Sequence, residues 1–177
     1  MRLRPRFHSI PVLLSALLLV SCVSDVRRDS VGSPASDRFK VHCEIVRNYE
    51  KAFCEERIDY GSFYNDSAII VGVSFGPMDT LTVGQNQQSH QRAWERYDFK
   101  IHGPIRFSPG VDPTTLEIDG SVRMHIELEV TSAATGRSVV LPVYEEYDFD
   151  AARKIKRLVY YGDMTAAFQS IDEEIAD

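Results

Sequence analysis

Residues 121–130, SVRMHIELEV, alternate without interruption: Val122, Met124, Ile126, Leu128 and Val130 fall on one side, and Arg123, His125, Glu127 and Glu129 on the other. Side chains along a β-strand point to opposite faces in turn, so the pattern predicts a strand with one face against a core and one face wet. A strand of that kind needs neighbours. The chain supplies them: TSAATGR reads as a turn around Gly136, VVLPVYEEYDFD as a strand, DAARK as a turn and KIKRLVYYGD as a last strand, with IHGPIRFS as a short strand upstream. The resulting antiparallel sheet must be covered on its apolar face only.

The cover comes from the N-terminal half. Asp37 can cap a helix running from Arg38 to about Glu56, in which Phe39, Cys43, Val46, Tyr49 or Glu50, and Phe53 recur at three- and four-residue steps. A short helical piece, IDYGSFY, leads into a β-branched strand from Ile69 to Phe75. GPMDTLTVGQNQQ reads as a loop, and Ser89 or Asn86 as the cap of a third helix, SHQRAWERYDF. The tail, MTAAFQSIDEEIAD, is partly helical, with Asp172, Glu173, Glu174 and Asp177 as a solvated end. Helices first and antiparallel strands afterwards place the chain in the α+β class. The uncovered sheet face is left for solvent or for a second subunit.

The first 21 residues read as a targeting segment. Arg2, Arg4 and Arg6 precede IPVLLSALLLV, an apolar run short of the about 20 residues that a membrane span needs. The run ends in LVSC, which resembles the lipobox of bacterial lipoproteins. That resemblance implies cleavage before Cys22, a lipid on its thiol and its new amino end, and a domain held at a membrane surface outside the cytoplasm. Residues 22–37 then read as the lipidated cysteine and a flexible tether rich in Ser, Asp, Gly and Pro, and 38–177 as one domain. Twenty basic against 26 acidic residues give a net charge of −6, and losing Arg2, Arg4 and Arg6 with the signal makes it −9. Such a balance argues against nucleic acid as a partner. Cys43 and Cys54 stand eleven positions apart on one expected helix, ~16 Å along its axis. That is too far for a disulfide, so both are expected to stay reduced.

Three stretches in order resemble the nuclear transport factor 2-like, or SnoaL-like, superfamily. They are FYNDSAIIVG, with Tyr64 and Asp66; the helix SHQRAWERY; and the closing hairpin GRSVVLPVYEEYDFDAARKIKRLVYYGD. The resemblance covers about 39–170 and implies a cone: a strongly bent, mostly antiparallel sheet wrapped around N-terminal helices, often dimeric through the convex sheet face. The superfamily contains ketosteroid isomerase, dehydratases, epoxide hydrolases, polyketide cyclases and non-enzymatic binding domains, so function must be argued from the pocket.

Within that resemblance Glu145 falls on the position of the isomerase's oxyanion-hole acid, and Tyr49, within one residue, on that of its helix tyrosine. The position of its catalytic base is Gly72, which cannot take a proton, and Asp79 is a nearby carboxylate on the expected loop. The expectation is therefore a pocket that binds a small apolar ligand, or a protein partner, without catalysis. A second expectation is an isomerase, dehydratase or cyclase with Glu145 as general acid, and a third is a dimeric envelope module with a filled cone. Tyr49, Trp94, Ile126, Leu128, Glu145, Tyr147, Leu158 and Tyr160 are the expected lining, with Tyr49 able to hydrogen-bond Glu145. No cofactor motif or phosphate loop is present. His125 and Glu127 stand two apart on the polar strand face without a third metal ligand, so no metal site is expected.

Overall fold

The computed structural model describes residues 34–73 and 79–172. Cys22, the signal-like segment and the tether before Pro34 lie outside the described residues, as do the expected strand end at Phe75 and the tail acids Glu173, Glu174 and Asp177. The order of elements is α1 (Pro34–Cys54), α2 (Tyr60–Phe63), β1 (Tyr64–Val73), β2 (Asp79–Leu81), α3 (Val83–Trp94), β3 (Tyr97–Val111), β4 (Ile118–Ser132), β5 (Ser138–Phe149), β6 (Ile155–Tyr161) and α4 (Met164–Asp172). The strands form one six-stranded sheet in the order β2-β1-β6-β5-β4-β3. All neighbours are antiparallel except β1 and β6, which run parallel. The architecture is α+β, as the periodicities require.

The alternation in β4 is realised in full. Val122, Met124, Ile126, Leu128 and Val130 are all buried, while His125 and Glu127 are exposed. The outer face carries charge: Arg123 lies 3.6 Å and Arg157 3.3 Å from Asp148, across β4, β5 and β6. His125 packs against Tyr144, their ring centroids 4.7 Å apart and their planes tilted by 48°, and among the described residues no cluster of metal-ligating side chains forms around it.

Several boundaries differ from the sequence reading, each for a local reason. The first helix starts at Pro34, inside the expected tether: proline is accepted in a first helical turn, where its missing N–H costs nothing, and Asp37 sits within that turn. The third helix is capped by Thr82, seven residues before Ser89. The Thr82 hydroxyl accepts from the Gln85 amide at 3.3 Å, and Gln85 Oε1 accepts from the Thr82 amide at 2.9 Å. That is a reciprocal capping box, hidden in TVGQ by the neighbouring glycine. The helix ends at Trp94, so Tyr97 and Phe99 belong to β3. That strand is no short segment but 15 residues long. It lies at the sheet edge, where Pro104 and Pro109 remove no needed ladder bond. Gly103, at φ 80°, takes up the register shift between His102 and Arg106.

Asp172 is not a frayed end. Its carboxylate accepts from Arg96 at 2.6 Å, from the Tyr97 hydroxyl at 2.5 Å and from the Ser132 hydroxyl at 3.0 Å. Together with the Tyr97–Phe168 ring stack, at 4.1 Å, these bonds seat α4 on β3 and β4. Both cysteines are free; burial pushes the Cys43 and Cys54 thiols up to about 11, away from reactivity.

Candidate functional site

The apolar face of the sheet does not close against the helices completely. A cavity of about 170 Å³ remains between them. The alternation that buries β4 also aims Ile126 and Leu128 at it, and the registers of β5 and β6 add Val143, Glu145, Leu158 and Tyr160. From the helices come Tyr49, Glu50 and Phe53 of α1, Asn86 and His90 of α3, and Met164 and Phe168 of α4. The expected filled cone is therefore not what the chain builds.

Two of the expected lining residues lie elsewhere. Trp94, the last residue of α3, packs behind the wall, its ring 5.8 Å from Phe53 and 5.7 Å from His90. Tyr147 is fully buried beneath Glu145 instead of facing the void. The expected Tyr49–Glu145 bond is also replaced. The Tyr49 hydroxyl accepts from Tyr64 at 2.8 Å, and Tyr147 stands between the acids.

The polar centre of the site is a pair of glutamates. Glu50, on α1, is 4% exposed and accepts from the Tyr147 hydroxyl at 2.6 Å. Glu145, on β5, also lies against that hydroxyl, and the two carboxyls are hydrogen-bonded to each other. Glu145 is half-buried, as a wall residue with one side on a cavity should be. Burial raises both acids, and two carboxylates in contact cannot both ionise cheaply. Glu50 is raised well above the ordinary carboxylate range, by burial first and then by the charge of Glu145. Glu145 is also raised by burial, but hydrogen bonds from Tyr147 and Glu50 oppose the shift. Both carboxyls are thus held toward the protonated form, Glu50 the more strongly, and they titrate as a pair.

Glu50 is the functional residue missing from the sequence candidates. Its signal was present: it occupies a position on the apolar stripe of α1, four residues after Val46 and three before Phe53, where a carboxylate must either be paired or serve a ligand.

Other wall groups are neutral. Burial pushes the His90 imidazole down to about 4, and its Nδ1 lies 2.7 Å from the Tyr60 hydroxyl. Asn86 is 3% exposed, and its amide nitrogen has no hydrogen-bond partner among the described residues. At Gly72 a Cβ would lie 2.6 Å from the Tyr160 hydroxyl oxygen and 2.9 Å from the ring carbon that bears it. The tyrosine on β6 thus fills the space where a base would project from β1, its register partner. Asp79 pairs with Gly72 across β2 and β1, and its side chain lies outside the described residues.

No family model matches the sequence, and no curated protein matches it either. Solved structures do match, at the level of the fold. A putative SnoaL-like polyketide cyclase from Jannaschia superposes with a TM-score of 0.58 at 10% identity, over 80% of this chain and 96% of that one. A nuclear transport factor 2-like protein from Burkholderia xenovorans gives 0.56 at 12%, over 75% and 97%. An LEH-like epoxide hydrolase from Mycobacterium tuberculosis gives 0.52 at 14%, over 75% and 90%. The chain has the SnoaL-like, nuclear transport factor 2-like fold.

Proposed function

We propose that this chain is a lipid-anchored domain, held outside the cytoplasm through Cys22, whose cavity binds a small and mainly apolar molecule without chemistry of its own. The observation that carries the reading is the cavity itself: apolar walls from β4, β5 and β6 around one polar pair, Glu50 and Glu145, which is the composition of a binding pocket. The occupied space at Gly72 supports binding over isomerisation, because no base can project there while Tyr160 stays in place. Mass spectrometry of the native protein should find a bound small molecule that is lost in Glu145→Gln. A ligand retained undiminished in that variant would refute the role of Glu145. Membrane fractionation of Cys22→Ser tests the anchor: a variant that still sediments with membranes contradicts it.

A second reading is proton-transfer catalysis of the isomerase, dehydratase or cyclase kind. One observation favours it. Two carboxyls stand together in one wall and Glu50 is raised the more strongly, so the general-acid role expected of Glu145 shifts to its neighbour. Turnover of a carbonyl or epoxide substrate that both Glu50→Gln and Glu145→Gln abolish would establish it.

A further inference from the structure

Glu50 and Glu145 bring two carboxyls side by side onto the cavity wall, and no described cation of that wall pairs with them. Among the described residues neither acid makes a salt bridge, and the wall contains no lysine or arginine. Its histidine is bonded to Tyr60 and is kept uncharged by burial. A carboxylate left this way is costly unless an opposite charge arrives. The rest of the wall suits such an arrival. Phe53, Phe99 and Phe168 present rings to the same space, and aromatic faces attract ammonium groups. The chain as a whole is acidic, which draws cations toward it.

We propose that the cavity takes a small organic cation: a molecule of about one ring's bulk carrying a protonated amine, its ammonium group against the Glu50–Glu145 carboxyls and its apolar body among the phenylalanines. This rests on the binding reading above and names the ligand class for it. A neutral ligand that accepts a hydrogen bond fits less well, because the proton it would need is already given by Glu50 to Glu145. The unpartnered amide nitrogen of Asn86, buried in the same wall, is a donor that a ligand carrying an acceptor atom would use in addition.

The groups facing the pair are otherwise uncharged at neutral pH. They are Tyr49 and Cys54 on α1, Tyr64 on β1, Tyr147 on β5 and His90 on α3. An arriving ammonium therefore loosens a proton of the pair and no other, and cation binding releases protons.

The test compares benzylamine with benzyl alcohol, which match in shape and differ in charge, by calorimetry on the full-length chain below the amine's own pKa. The amine should bind at least ~10-fold more tightly than the alcohol. Its affinity should rise with pH, as the pair's proton becomes easier to lose. Glu145→Gln should lower amine affinity by a similar ~10-fold while near-UV circular dichroism reports that the variant is folded, and an undiminished amine affinity would overturn the cation assignment. An alcohol that binds as tightly as the amine, or an amine affinity that falls as pH rises, would overturn the cation assignment and leave the pocket reading standing. If neither compound binds, the pocket reading falls and this inference with it.

Discussion

Replacing Glu50 by glutamine should flatten the dependence of folding stability on pH. The perturbation removes one titrating group and keeps its shape and hydrogen-bonding capacity. Between the ordinary glutamate pKa, about 4.3, and the raised values of the pair, the folded chain holds a proton that the unfolded chain has lost. A carboxyl whose folded pKa is raised contributes stability that is fully present below the unfolded pKa and is lost as pH rises through the folded pKa. One extra bound proton corresponds to a slope of about 1.4 kcal/mol per pH unit across that window. In Glu50→Gln the introduced amide and the Tyr147 hydroxyl both donate to Glu145, which then ionises more readily. Urea denaturation of the full-length chain at a series of pH values measures the difference. The wild-type curve should fall relative to the variant by about 1.4 kcal/mol for each pH unit until the pair has lost its proton. Asp112, Asp150 and Asp172, whose pKa values are held down by hydrogen bonds, act in a lower window and equally in both proteins, so they cancel. Parallel curves would refute the raised carboxyls, and with them the proton release expected on cation binding.

Other consequences are measurable separately. Gly72→Ala should cost about 1–3 kcal/mol in thermal or urea unfolding, since the new Cβ drives the Tyr160 ring aside, and an unchanged midpoint would show that the ring moves freely. Thr82→Ala should lose about 1 kcal/mol by breaking the reciprocal cap of α3, while Thr82→Ser keeps it. Asp172→Ala removes the acceptor shared by Arg96, Tyr97 and Ser132. Amide exchange should then quicken in α4 while β4 and β5 keep their protection, and uniform exchange across all three would contradict the anchoring role.

The fold was legible where burial imposed a period. Val122 through Val130 reported both the strand and its buried face, because side-chain alternation leaves no other solution for five apolar residues. Boundaries were legible only where their chemistry was local and unmasked. Thr82 and Gln85 spell a capping box, but Gly84 between them suggested a loop. The strand read at IHGPIRFS extends on both sides, to Tyr97 and to Val111, because an edge position accepts the Pro109–Gly110 pair that follows it. The site was half visible. Glu145 stood out because it interrupts an apolar strand face. Its partner Glu50 was seen in the helical stripe but had Tyr49 beside it as the more familiar choice. Asp172 could not be read at all: its three donors lie 40 to 76 positions away in sequence, and only the packing of α4 brings them together.

The parallel pairing of β1 with β6 has a consequence for how the molecule is made. The first strand of the sheet meets the last, with Ile70 opposite Leu158 and Val71 opposite Val159. Until Tyr161 is available, β1 has only the three residues of β2 to pair with, and its remaining edge stays open. Such a long loop must close before the contact returns any stabilisation, so the sheet completes late and all at once. A chain synthesised from its N-terminus therefore remains unlatched until β6 has emerged, and shortening β6 should leave a partly paired sheet with an aggregation-prone edge.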